Sequence, residues 1–211
     1  MSKSSRRRAP KKQNSNWLVY AIAAVLLAGV VYIGYNLLVP HSGAKQWAAA
    51  PAMQIDVTKN YTAHIKTEKG TIDIQLLPQA APITVNNFVF LARQRYYDGV
   101  TFHRVLPNFM AQGGDPTGTG SGGPGYFIPN ENSSAVFDKA GLLAMANSGK
   151  DRNGSQFFIT FGPQPNLNGG YTIFGQVIAG MDVVQSITLR DPDTHPTTPG
   201  DKITTITIDE N

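Results

Sequence analysis

The stretch FHRVLPNFMAQGGD, Phe102–Asp115, decides how this chain is read. Phe102, Val105, Leu106, Phe109 and Met110 gather around one arginine, Arg104, and two short strand-like runs, Val100–Leu106 and Phe109–Gln112, meet inside it. A stretch this apolar belongs to a core. Arginine is almost never fully buried without a partner. Arg104 therefore either pairs with an acid at a rim or faces a pocket in which a ligand meets it.

Outward from that stretch, the pattern is of strands with little helix. YTAHIKTEKGTIDIQLL, from Tyr61, reads as two strands around Lys69-Gly70, with Ile72, Ile74 and Leu76 alternating. Pro82 suits the first turn of a helix, and Val85, Phe88, Val89 and Ala92 recur at helical spacing, so residues 82–95 are predicted to be an amphipathic helix. Tyr97-Asp98-Gly99 ends it with turn chemistry. Further strand-like runs are Leu142–Ala146, Gln156–Phe161, Thr172–Val177 and Lys202–Ile208, and Met181–Ile187 reads as a short helix. Many short strands, Gly/Pro turns and two helices predict a mainly β domain, a closed barrel or sandwich with helices packed on it. With about 150 residues it can build a sizeable core without disulfides. The chain has no cysteine, which excludes disulfides, thiolate metal sites and cysteine nucleophiles.

The N-terminal part does not belong to that domain. Residues 1–16 carry Lys3, Arg6, Arg7, Arg8, Lys11 and Lys12 and no acid; residues 17–39, WLVYAIAAVLLAGVVYIGYNLLV, carry no charge. As a helix at ~1.5 Å per residue that segment reaches about 35 Å, enough to span a hydrocarbon layer about 30 Å thick. Trp17 and Tyr20 near one end, and Tyr32 and Tyr35 near the other, suit the two interfaces. The basic cluster before the span predicts a cytoplasmic N-terminus and an extracytoplasmic domain, a single-pass protein of the cell membrane. A cleaved signal peptide is the other reading, but its apolar region is only ~7–15 residues long. Residues 40–59, rich in Ala, Ser, Gly and Pro, are expected to be a flexible tether, with the domain occupying 60–211.

The chain of 211 residues has 18 basic and 14 acidic side chains, a net charge of +4. All 14 acids lie beyond residue 40, and removing the six basic residues of the tail leaves 12 cations against them, so the exported part has a charge of −2. That excludes a broad nucleic-acid surface, which needs a basic patch. No metal or cofactor is implied. His41, His64, His103 and His195 are scattered without ligand spacing. The GTGSGG run at Gly118–Gly123 has dinucleotide-fingerprint spacing but is followed by Pro124 and Pro129, so no helix starts there and a mobile turn-rich loop is expected. No G-x-S-x-G elbow is present. His103, next to Arg104, is expected to point to the opposite face of a strand as a packed, hydrogen-bonded histidine. Asn153-Gly154 is expected to be a tight turn.

Four segments remain: Phe102–Asp115, MANSG at Met145–Gly149, NGSQFFIT at Asn153–Thr160 and NLNGGYTIFGQV at Asn166–Val177. With APITVNNFVFLARQRYYDGV before the first of them, they appear in an order that resembles the cyclophilins, the cyclosporin-binding class of peptidyl-prolyl cis–trans isomerases, over roughly Tyr61 to Ile208. The resemblance implies an eight-stranded antiparallel closed barrel capped by two helices, with proline-containing polypeptides as partners and no cofactor. It implies that Arg104 is the catalytic cation, that Phe102 lines the site with it, and that Phe109, Met110, Phe158 and Leu167 form a proline pocket. By the same resemblance Gln112 bonds the peptide backbone, Ala146, Asn147 and Ser148 form the edge along which substrate lies, and Gln156 supports it. Two positions depart from the family pattern: Asn166 stands where cyclosporin-sensitive members carry tryptophan, and Tyr171 where many carry histidine. Weak cyclosporin binding is therefore expected, while Tyr171 can still close the groove and donate a hydrogen bond. A module of this fold that holds proline-containing segments without turnover is the alternative function.

Overall fold

The structure is a computed structural model and describes residues 45–132 and 134–211. The basic tail and the expected span at 17–39 lie outside the described residues. Among the described residues, no helix is long and apolar enough to cross a membrane.

The described residues form eight strands: β1 Tyr61–Thr67, β2 Gly70–Leu76, β3 Arg104–Leu106, β4 Met110–Gly113, β5 Leu142–Asn147, β6 Asn153–Thr160, β7 Ile173–Ala179 and β8 Ile203–Glu210. Two α-helices, α1 Pro82–Arg93 and α2 Met181–Ser186, interrupt them, with single 3₁₀ turns at Pro165–Leu167 and Pro192–Thr194. The strands make one antiparallel sheet in the order β3-β4-β6-β5-β7-β2-β1-β8. The expected barrel holds in part. The edge strands β3 and β8 share no ladder, and the two edges meet through single bridges, Thr101 with Lys202 and Val105 with Arg190. Strand β1 lies between β2 and β8, and the ladder is extended by Asn60 and Asn211, which exchange backbone hydrogen bonds at 2.9 and 3.0 Å.

Alternation places Ala63, Ile65, Ile72, Ile74 and Leu76 on the inner face, all fully buried. Helix α1 closes this interior. Its Phe88 packs against Tyr97, Phe157 and Phe174, with ring centroids 5.3, 5.6 and 5.3 Å away. Strand β6 begins at Asn153, so Asn153-Gly154 is strand and not the tight turn expected; the Asn153 amide is buried and donates to Ile128 O at 3.1 Å and Asn130 Oδ1 at 2.8 Å.

Helix α1 starts at Ala81-Pro82, and no local side chain caps it. Its free N–H groups are met from a distant loop: the Glu131 carboxylate accepts from Ile83 N at 2.9 Å, Thr84 N at 2.7 Å and Thr84 Oγ1 at 2.7 Å. This satisfies donors that every helix start leaves open and sets a negative charge at the positive end of the helix dipole.

The flexible tether expected over 40–59 is, in its described part, bound to the domain. Lys45 Nζ donates to Gln94 O at 2.7 Å, Trp47 N to Pro124 O at 2.9 Å, and Gln54 N to Asn86 Oδ1 at 2.7 Å. The Trp47 ring packs edge-on to Phe90 at 5.2 Å and beside Tyr96 at 5.8 Å. Composition favoured a linker, but one indole with a buried face is enough to dock the segment as a strap.

Candidate active site

Strands β3 and β4 form a narrow hairpin in which Arg104 faces Gln112 and Leu106 faces Met110. Strand β4 continues the pairing to β6, setting Gln112 opposite Phe158. Because alternate residues share a face, this register collects Arg104, Gln112, Met110 and Phe158 at one place. They line a cavity of about 370 Å³, together with Phe109, Ala146, Asn147, Leu167 and Tyr171.

Its floor is an apolar cluster separate from the main core. Met110, Phe137, Leu142, Ala144, Phe158 and Ile173 are buried in it, and Phe109, Leu167 and Tyr171 pack on it half-buried. Phe158 stacks on Phe137 with centroids 5.9 Å apart and meets Tyr171 edge-on at 5.6 Å. These contacts fix the ring that forms the pocket wall.

The choice posed by Arg104 is settled by its surroundings. The side chain is half-buried, and among the described residues it makes no ion pair. Its guanidinium lies over the Phe109 ring, 5.7 Å from the centroid, an arrangement that aromatic faces favour. Arg104 is thus a cavity-facing cation with its N–H donors free for a ligand.

Gln112 is held in a chain of amides. Its Nε2 donates to Gln156 Oε1 at 2.9 Å, and Gln156 Nε2 donates to Gly120 O at 2.9 Å and Gly122 O at 3.0 Å. The glycine loop that supplies those carbonyls is pinned by Asp115, contrary to the mobility expected of it. The Asp115 carboxylate accepts from Thr117 N and Oγ1, Thr119 N, Gly120 N and Gly122 N. Burial pushes the Asp115 pKa up, but the bonds from Thr117, Gly122 and Gly120 outweigh it and hold the group below the usual carboxylate value. Gly122 is required by the close approach, since any Cβ there would collide with Asp115 Oδ1.

Most residues expected at the site are brought together, with exceptions. Phe102 does not line the cavity. It is fully buried and packs edge-on against Phe157 at 6.2 Å, inside the main core. The residue that does line it is His103. Strand β3 begins only at Arg104, so the alternation expected from residue 100 does not apply. Neither His103 ring nitrogen makes a hydrogen bond of good geometry among the described residues, although the Thr101 backbone lies close enough to interact with the ring, and burial lowers the His103 pKa. Ser148 and Gln156 lie along an adjoining cavity, not this one.

Thr119, Gly120, Pro192 and Asp193 also line the cavity and were not anticipated. Asp191-Pro192-Asp193 is a readable turn signal, and the Asp191 side chain does accept from Asp193 N at 3.0 Å. What places that turn beside Arg104 is tertiary: Val105 and Arg190 exchange backbone hydrogen bonds at 2.7 and 2.8 Å.

Comparison with known proteins agrees with this geometry. Residues 62–208 match the family described as cyclophilin type peptidyl-prolyl cis-trans isomerase/CLD. This chain belongs to that family. Peptidyl-prolyl cis-trans isomerase B of Bacillus subtilis is 49% identical over 132 residues, covering 62% of this chain and 92% of that protein. The Synechococcus elongatus isomerase is 55% identical over 117 residues, covering 54% of this chain and 78% of that protein. Among solved structures, a Cryptosporidium parvum cyclophilin superposes with a TM-score of 0.66 at 34% identity, covering 72% of this chain and 99% of its own. The same C. parvum protein has also been solved in the presence of the dipeptide Ala-Pro. The cyclophilin described here is accordingly a peptidyl-prolyl cis–trans isomerase.

Proposed function

We propose that Arg104 is the catalytic cation of this isomerase, that the 370 Å³ cavity takes the prolyl ring, and that the clients are exported proteins met outside the cytoplasm. The observation that carries the reading is a guanidinium that makes no ion pair among the described residues, at the wall of a pocket with an apolar floor. The Ala-Pro dipeptide used with the C. parvum relative is a ligand of matching chemistry.

In this reading Phe109, Met110, Phe158 and Leu167 grip the ring, Gln112 bonds the peptide backbone, and Ala146 and Asn147 form the edge, with Ser148 beyond it. Tyr171 closes the rim. The X–Pro barrier of ~18–20 kcal/mol comes from amide resonance. In the twisted state the proline nitrogen regains a lone pair, and a guanidinium close to it binds that state better than the planar amide. Only such differential binding accelerates the step. A charge-assisted hydrogen bond contributes ~1.5–3 kcal/mol, which is about tenfold to a hundredfold in rate. The pocket supplies the rest by excluding water from a less polar transition state.

Arg104→Ala is expected to lower kcat/KM on a proline peptide by about tenfold or more, with the circular dichroism spectrum and Tm of the wild type. Activity within twofold of wild type would remove Arg104 from the catalytic step.

The export side of the reading is supported by the basic tail at 1–16 and the uncharged run at 17–39, which together suit a membrane anchor with its N-terminus inside. Weak cyclosporin binding belongs to the same reading, because Asn166 is exposed and absent from the cavity wall that Leu167 joins.

A further inference from the structure

Gln112 lines the proposed proline cavity with a single amide, and that amide is the end of a chain. Its Nε2 is engaged by Gln156 Oε1, which leaves Gln112 Oε1 to accept from a peptide N–H. Gln156 is in turn aimed by the carbonyls of Gly120 and Gly122, to which its Nε2 donates. The direction of Gln112 therefore depends on where the glycine loop and the start of β6 are held.

Asp115 ties the loop at its near end. Its far end is tied by the strap, which precedes the family match at residue 62. Trp47 N donates to Pro124 O at 2.9 Å. Gly125 leaves the room this contact needs: its φ is +93°, and a Cβ there would lie 2.8 Å from Trp47 O. The strap itself is held by the indole, packed on Phe90 and Tyr96. Tyr96 opens a second route. Its hydroxyl lies 3.2 Å from Ser155 Oγ, which donates to Gly114 O at 2.7 Å. Ser155 immediately precedes Gln156, and Gly114 follows Gln112 by two residues. One indole thus bears on both supports of the amide chain, on the loop carbonyls through Pro124 and on β6 and β4 through Tyr96. Packed and bonded contacts of this kind are what carry coupling between groups that do not touch.

We infer that Trp47 is a positioning residue for the isomerase: by docking the strap it keeps Gln112 aimed at the substrate backbone, so that a segment outside the family match sets substrate affinity. This rests on reading Gln112 as the contact to the peptide backbone. Such a bond is made to the planar and the twisted peptide alike, so weakening it raises KM and spares kcat. Arg104 acts on the twisted state, and its loss falls on kcat.

The test is a double-mutant cycle on the full chain in detergent, with one proline peptide as substrate. Trp47→Ala should raise KM about twofold to tenfold, the range of one neutral hydrogen bond, with kcat within about twofold of wild type. Trp47→Phe, which keeps a ring against Phe90 and Tyr96, should recover most of that loss. In a Gln112→Ala background, where the contact is already gone, Trp47→Ala should change KM by less than about 1.5-fold. A loss of stability alone would not be silenced by Gln112→Ala. If Trp47→Ala melts below the assay temperature, Trp47→Leu takes its place in the same cycle under the same criteria. An unchanged KM in the Trp47 variant overturns the inference, and so do KM increases that multiply in the double variant; either result leaves the proposed role of Gln112 standing. A wild-type KM in Gln112→Ala alone would overturn both.

Discussion

Arg104 has the neighbours of a core residue and the freedom of a surface one, and the difference between them is one position of register. Phe102 goes wholly inward and His103 reaches the cavity edge. Composition around Arg104 was legible because a cation inside an apolar run has few tolerable environments. The exchange of Phe102 for His103 was not, because it depends on where β3 begins, at the Arg104–Gln112 pair with β4. Asn166 tests the rim at the same scale. Tryptophan buries up to ~250 Å² and carries an N–H donor, whereas asparagine offers a short amide. Losing ~100 Å² of apolar contact at ~25 cal/mol per Å² costs about 2.5 kcal/mol, close to two decades of affinity. Asn166→Trp should therefore tighten cyclosporin inhibition by roughly that factor while changing kcat/KM on a proline peptide far less. Equal inhibition constants for the two proteins would place Asn166 away from the drug-facing rim.

Helix α1 shows what a segment can and cannot announce about itself. Pro82 and the spacing of Val85, Phe88, Val89 and Ala92 mark its start and its inner face. The missing N-cap at Ala81 signals that its first donors must be met elsewhere, yet nothing local points to Glu131. Removing that carboxylate by Glu131→Ala leaves Ile83 N, Thr84 N and Thr84 Oγ1 without their partner. By analogy with side-chain caps the loss should be about 0.5–2 kcal/mol. For a domain of this size that lowers Tm by several degrees, at about 2–4 °C per kcal/mol. Glu131→Gln, which keeps one good acceptor, should fall between. A calorimetric Tm for Glu131→Ala within 1 °C of wild type, a difference too small for about 0.5 kcal/mol, would show that the three donors find other partners. The glycine loop has the same logic. Its residues read as mobile because Asp115, which pins them, lies outside the GTGSGG run, and the Asp115-Pro116 turn signal does not reveal that the carboxylate reaches the glycine N–H groups.

At the scale of the molecule, the strands and helices were legible because alternation of period two and helical spacing are written into single segments. Sheet order and seam were not, since they rest on pairings between distant segments. The strap is the clearest case: Ala, Gly and Pro over 40–59 speak for a linker, and Trp47 alone speaks against it. Placement relative to a membrane is a property of the whole chain, and the expectation drawn from the basic tail can be checked directly. Protease added to intact spheroplasts should digest the isomerase domain, and the undigested full-length protein should sediment with membranes. A domain protected until the membrane is breached would reverse the proposed orientation.

Strand β1 has β2 on one side and β8 on the other, and Asn60 is bonded to Asn211. A ribosome makes the first of these pairings available early and the second only much later in the chain. Until residues 203–210 emerge, the nascent domain carries an open, unpaired edge along β1, with the buried side chains of Ile203 and Ile206 still missing from the interior. Such an edge is a template for wrong partners, and contacts spanning this much sequence form slowly. This prolyl isomerase thus has, in its own folding, a step that waits for β8 to be synthesised.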